Sequence, residues 1–204
     1  MDALTLLTTT RSVRRKLDLE RPVPRAVLED CLRIAQQAPA AGTMLTAQRW
    51  IVVLDPLLRK EIAAIVRESA HAVWQRYAPQ TDNRIFASGR YLVDHLDRVP
   101  ALLIPCLPGR PPTRLVEQTS YFGSIYPSIW SFQLALRTHG LASSLCSYHL
   151  ADREEDVARL LGIPADVTQI GLLAVGYSTQ QEFSPAARPP VPEILSYDAW
   201  GWIR

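Results

Sequence analysis

Apolar and polar positions alternate along the chain in blocks that change period from helix to strand. After Pro22-Val23-Pro24, apolar residues recur at Val27, Leu28, Cys31, Leu32, Ile34 and Ala35, the spacing of one helix face, and Pro39 stops the run. Trp50-Ile51-Val52-Val53-Leu54 is short, apolar and β-branched, and Asp55-Pro56 closes it, so it predicts a buried strand. Helical spacing returns over 57–78 with Ile62, Ile65, Val66 and Val73, and Ala101-Leu102-Leu103-Ile104 predicts a second buried strand. Residues 120–139 predict one long helix with Gly140 as its C′ residue. That helix is apolar around most of its surface, and a subunit interface is a natural place to bury the excess.

A strand near 142–149 follows, then a helix for which Asp152 and Glu155 form a capping-box pattern and which ends at Leu160-Leu161-Gly162-Ile163-Pro164. The last strand is read over 169–177. This alternation predicts an α+β or α/β domain with a mainly buried sheet. Pro105, Pro108, Pro111 and Pro112 read as a punctuated loop, and Pro185, Pro189, Pro190 and Pro192 stiffen a C-terminal arm carrying Ile194, Leu195, Tyr197, Trp200 and Trp202. An arm so loaded with aromatics should dock on something, a second subunit being one choice.

The 204 residues suit one domain, and 48% hydrophobic content supplies a core. With 22 Lys+Arg against 20 Asp+Glu, bulk electrostatics predicts neither nucleic-acid nor membrane-surface binding. Neither apolar run, 101–107 or 170–177, reaches the ~18–20 residues of a membrane span. No signal peptide is read at the N-terminus. Cys31, Cys106 and Cys146 are too far apart for a zinc or redox pair, so the expectation is a cytoplasmic protein with buried thiols.

Chemistry has three candidate locations. Thr10-Arg11-Ser12-Val13-Arg14-Arg15 can surround a phosphate with guanidiniums and hydroxyls, or form a solvated basic turn. Arg188 stands in the proline-rich arm. The small-residue loop Pro39-Ala40-Ala41-Gly42-Thr43-Met44-Leu45-Thr46 allows close approach of a ligand, or is an ordinary loop. No glycine-rich nucleotide loop, nucleophile elbow, metal cluster or carboxylate pair is present, and among His71, His95, His139 and His149 only His149, beside Tyr148, reads as poised. A chain without an evident acid, base or nucleophile can still be an enzyme when a cofactor supplies the reactive atom.

These segments fall in the order of a known pattern. Arg11-Ser12-Val13-Arg14, then Ala38-Pro39 through Trp50-Ile51-Val52-Val53, then 128–136 with Gly140-Leu141-Ala142-Ser143, then 160–164 with Ala174–Tyr177, and last Pro185-Ala186-Ala187-Arg188-Pro189-Pro190 with Glu193 and Trp200, together resemble the nitroreductase family of flavoproteins over nearly the whole chain. The resemblance implies an α+β fold with a central mixed sheet flanked by helices, a single domain over 1–204, and an arm (183–204) embracing a homodimer partner.

It further implies an FMN-dependent oxidoreductase, in which hydride passes from NADH or NADPH through flavin N5 to a small-molecule acceptor such as a nitroaromatic, a quinone or another unsaturated compound. Arg11, Ser12, Val13 and Arg14, joined by Arg188, would bind the FMN phosphate. The segment 144–148, with Ser147 and Tyr148, would pass beside the flavin ring. Met44 stands where the family carries Asn and Thr46 where it carries Gln, with Gln48 at a Trp position and Thr10 where another arginine is common. Met44 can pack on a ring through sulfur but offers neither donor nor acceptor of an amide. An FMN-storage protein, a flavin-free relative and an oxygen-dependent flavin dehydrogenase are the alternatives that this departure leaves open.

Overall fold

The computed structural model describes residues 1–77 and 82–201; Ala78 and Trp202 of the expectations above lie outside them. Its helices are α1 (Ala3–Thr9), α2 (Arg25–Ala35), α3 (Pro56–Tyr77), α4 (Asn83–Asp94), α5 (Leu115–Gly123), α6 (Tyr126–Thr138) and α7 (Glu154–Leu161). Its strands are β1 (Arg49–Val53), β2 (Ala101–Pro108), β3 (Leu141–Cys146), β4 (Val167–Gln169) and β5 (Leu172–Tyr177). The sheet runs β1-β2-β5-β3, with β4 continuing beside β2. Its ladders among the described residues are antiparallel, and the parallel element is the single bridge Gly109–Val167.

Both faces of the sheet are buried, and side chains alternate between them as the period of two requires. Val53, Leu102, Ile104, Cys106, Ala142, Leu172 and Ala174 enter one core, beneath α3, α4 and α7. Leu103, Leu107, Leu141, Leu173 and Val175 enter the other, beneath α2 and α6. The α2–α6 packing is pinned where the Ser128 hydroxyl donates to the Ala35 carbonyl at 2.9 Å. Gly140 follows α6 with φ of 72°, as its C′ reading anticipates.

Several expectations are corrected. The single helix over 120–139 is two, α5 and α6, parted at Ser124. Pro127 sits in the first turn of α6, where its missing N–H costs nothing, and its ring is incompatible with helix continuing through the preceding turn. The capping box is absent: Arg153 is the N-cap of α7, and the Asp152 carboxylate instead accepts from the buried Ser69 hydroxyl at 2.6 Å. The strand read over 142–149 ends at Cys146, and residues 148–151 form a 3-10 turn.

Pro105 and Pro108 belong to strand β2 rather than to a loop. The reason lies in the interruption between β4 and β5. Between the pairs Leu103–Leu173 and Cys106–Gln169, two residues on β2 face three on the returning chain, which makes a β-bulge at 170–172. The Pro105 carbonyl accepts from Ile170 N at 2.9 Å, so its missing donor points at the bulge, where regular pairing is already broken.

Gly171 belongs to the same device. A Cβ there would stand 2.9 Å from Leu145 Cδ1 and 3.1 Å from the Cys146 carbonyl. Gly171→Ala is expected to cost about 1–2 kcal/mol through overpacking. Urea denaturation reads this directly, and an unchanged midpoint would mean that Leu145 yields freely.

Candidate functional site

The segment after α1 runs along the open edge of β3 and then across the end of β5. Val13 N donates to the Ser143 carbonyl at 2.9 Å, Leu17 bridges Ser178, and Asp18 N donates to the Tyr177 carbonyl at 2.8 Å. Val13 and Leu17 are buried in the first core. The backbone through Arg14, Arg15 and Lys16 is therefore fixed against one end of the sheet, with Arg14 half-buried and Arg15 and Lys16 exposed. The segment lines one wall of a cleft.

That cleft consists of three hollows that meet along Arg14, which lines all of them. The first, about 280 Å³, is basic and polar, with Arg11, Ser12, Arg14, Arg15 and Lys16 on one wall and Ser88 of α4 opposite. The second, about 220 Å³, lies between Gly89 and Leu92 of α4 and the end of β3 at Leu145, Cys146, Ser147 and Tyr148. The third, about 130 Å³, is walled by Val73, Trp74, Tyr77, Ile85, Phe86 and Tyr148. Trp74 Nε1–H donates to the Tyr148 hydroxyl at 3.4 Å, and the two rings meet edge-on at 5.9 Å. Phe86 meets Trp74 edge-on at 5.7 Å. One end of the cleft thus favours an anion and the other a planar ring.

Two of the buried polar atoms without partners among the described residues stand on this segment and on the neighbouring β3. Arg11 Nε is buried and bonds to nothing, and so is the Oγ of Ser144, a fully buried residue of β3. The Arg14 side chain makes neither an ion pair nor a hydrogen bond among the described residues. Burial pushes the Cys146 thiol up to about 12, with the Arg14 charge pulling the other way. Burial likewise lifts Cys31 to about 11 and Cys106 to about 12, so all three thiols are neutral at pH 7. Among the described residues no group of His, Cys, Asp or Glu could hold a metal ion.

The structure thus gathers Arg11, Ser12, Val13, Arg14, Ser147 and Tyr148. It does not bring Met44, Thr46 or Arg188 to them. Met44 closes a 3-10 turn (Gly42–Met44) and packs into the second core, across the sheet from the cleft, and Thr46 is exposed on the same loop. Arg188 is exposed on the arm, and its bond is to the neighbouring Ala187 carbonyl at 3.4 Å.

His149, read as poised, is fully buried, and neither ring nitrogen has a hydrogen-bond partner. Burial pushes it down to about 4, while the neighbouring Gln169 amide and the Glu154 carboxylate oppose the shift. It is a neutral interior group.

Sequence reasoning missed the α4 wall. Its signal was Asp82, whose carboxylate caps the helix by accepting from Arg84 N at 2.8 Å and Ile85 N at 3.2 Å. The small pair Ser88-Gly89 lets that wall approach closely, and a Cβ on Gly89 would already touch the Tyr148 hydroxyl at 3.4 Å.

A family model described as "Nitroreductase family" matches residues 7–177. None of the curated proteins compared matches the sequence. Among solved structures, an iodotyrosine deiodinase bound to FMN and 3-iodo-L-tyrosine is similar at 20% identity, covering 96% of this chain and 98% of that one, with a TM-score of 0.73. A BluB-like flavoprotein from Clostridium difficile 630 gives 15%, 97%, 99% and 0.73 for the same quantities. An FMN and NADPH-dependent nitroreductase, NfnB, from sphigopyxis sp. strain HMH gives 20%, 98%, 100% and 0.71. At these identities the likeness is one of fold. Among the described residues no helix is long and apolar enough to cross a membrane.

Proposed function

Since this chain belongs to the nitroreductase family, we propose that it is an FMN-dependent oxidoreductase drawing on NADH or NADPH and reducing a small unsaturated acceptor, a nitroaromatic or quinone being the nearest classes. The observation that carries this reading is a single cleft with an uncompensated arginine pair at one end and an aromatic wall at the other. The donors fit a phosphate: Arg14 is free of carboxylates, and Arg11 Nε is a buried donor lacking an acceptor.

When bound, FMN supplies the two-electron chemistry that amino-acid side chains lack. The chain's own residues do the rest. Arg11 and Arg14 neutralise and orient the phosphate. The backbone at 145–148 borders the middle hollow, and Trp74, Phe86 and Tyr148 wall off water from the far end. The neutral thiols of buried Cys106 and half-buried Cys146 offer no competing nucleophile at pH 7.

A homodimer suits the same molecule. The arm leaves Val191, Ile194 and Tyr197 exposed and Trp200 fully so, a composition that a partner would bury. β1 is a free sheet edge flanked by a hollow of about 440 Å³ between it and Leu28, Leu32, Leu58 and Leu161, where the arm of a second copy would fit. Met44 and Thr46 would then serve the cleft of the partner rather than that of their own chain.

The deciding experiment is an absorbance spectrum after adding FMN and desalting. Retained bands near ~370 and ~450 nm, the ordinary oxidised-flavin absorption of a bound cofactor, followed by anaerobic bleaching with NADH or NADPH, are the expected outcome. A colourless protein would reject the reading. A yellow one that neither nicotinamide bleaches would leave the storage role, or the oxygen-dependent dehydrogenase if peroxide forms with an organic donor.

A further inference from the structure

Behind the basic end of the cleft lies an arginine that neither the family pattern nor the cleft lining includes. Arg137, in the last turn of α6, is 8% exposed, among the most buried charges of the chain. It donates to the Thr9 carbonyl at 3.2 Å and to the Thr9 hydroxyl at 3.5 Å, at the C-terminal end of α1. A long contact at 4.0 Å to Met1 Sδ completes its polar surroundings. The Phe183 ring covers its guanidinium at 4.3 Å.

No carboxylate pairs with Arg137 or with Arg11 among the described residues. The carbonyl end of α1 and the Phe183 ring face compensate Arg137 only in part. Burial in the first place, and the Arg11 charge in the second, make the protonated form of Arg137 costlier than usual, yet a guanidinium stays charged at neutral pH. Phe183 and Ser184 also line the basic hollow, and the Ser184 carbonyl accepts from Arg11 Nη2. Two like charges are therefore stacked in depth, with the one in front facing the cleft and the one behind sealed from water.

We propose that Arg137 is a positioning residue for the anion end of the cleft, its buried and unpaired charge holding Arg11 outward and adding a field that selects a flavin bearing a phosphate over one without. The inference rests on the flavin reading above. Fields from sealed charges are weakly screened, so the effect persists at moderate salt, unlike that of an exposed lysine.

The test compares FMN with riboflavin, which share the ring and differ in the phosphate. Dissociation constants are measured by flavin-fluorescence quenching for wild type, Arg137→Gln and Arg137→Lys. Glutamine keeps a donor for the Thr9 carbonyl and deletes the charge; lysine keeps the charge. Arg137→Gln is expected to weaken FMN roughly tenfold, the order that a buried unit charge exerts at an effective dielectric near ~20. Riboflavin affinity should stay within about twofold, and Arg137→Lys should recover most of the preference for FMN.

Equal losses for both flavins in Arg137→Gln would assign the residue a purely structural role and overturn the proposal, as would an unchanged preference. If Arg137→Gln does not fold, Arg137→Met at the same buried volume carries the comparison, and a lysine variant that loses the preference overturns the charge-based account by itself. Wild type that binds neither flavin would overturn the flavin reading instead, which separates the two failures.

Discussion

Arg14→Ala is expected to weaken FMN binding by about 1.5–3 kcal/mol, the range for a charge-assisted hydrogen bond, or roughly ten- to a hundredfold and more in dissociation constant. The residue lines all three hollows and spends its side chain on no other group, so its removal leaves no orphaned carboxylate in the protein. Stability should therefore move by less than about 0.5 kcal/mol, the norm for a substitution that breaks no buried contact. Val13 and Leu17, which hold the segment in place, are untouched. Equilibrium dialysis with FMN, beside a urea melt of the same sample, separates loss of binding from loss of fold. Unchanged FMN affinity would reject Arg14 as a phosphate ligand, and a large drop in stability would assign it a role in the fold.

Acid is expected to destabilise the protein through His149. The ring is sealed in the interior, its nitrogens lack partners, and burial pushes it from 6.5 down to about 4. The groups around it are Gln169, which is not ionisable, and Glu154, whose carboxylate is held by Arg110 at 2.8 Å and by Gln169 N at 3.1 Å. Glu154 itself is shifted downward, since these bonds outweigh burial, so its charge persists further into acid than that of an ordinary carboxylate. The unfolded chain takes up the His149 proton near pH 6.5 and the folded one only near pH 4. Between those values the unfolded state binds more protons, and stability falls as pH falls. The difference amounts to about 3 kcal/mol across the window. Urea denaturation at half-unit steps from pH 7 to pH 4 should show this slope, and His149→Gln, which cannot titrate, should remove most of it. The same slope in both proteins would show that other groups carry the acid sensitivity.

The main lines of the fold were legible because they rest on period and punctuation. β2 opens at Ala101, as its apolar run demands, and Gly140 closes the helix before β3. The basic end of the candidate site was legible for a local reason: Arg11, Ser12, Val13 and Arg14 are consecutive, so one short segment delivers them together. The aromatic end was not. Trp74, Phe86 and Tyr148 come from α3, α4 and the turn after β3, and nothing local in their sequence marks them as neighbours. Arg137 was hidden differently, since one arginine at the end of an apolar helix reads as an exposed terminal charge until Thr9 and Phe183 are seen to cover it. Met44 and Thr46 were read with the others because a linear pattern places residues in order along the chain and not in space. Their place across the sheet supplies what a linear motif cannot express.

The bulge opposite Pro105 has a consequence for how chains of this kind can diverge. Gln169 pairs with Cys106 and shares its side of the sheet, where His149 lies, while Leu172, three residues on, enters the same core. In a regular strand an odd separation would put the two on opposite sides. The bulge therefore absorbs one odd residue without turning the strand over. Losing a single residue between Gln169 and Leu172 would leave the two an even distance apart, restore a regular ladder between Leu103–Leu173 and Cys106–Gln169, and keep each side chain in its present core. Relatives can therefore carry or lack this one residue without repacking either core, whereas a loss of two would turn the side chains beyond it to the opposite face.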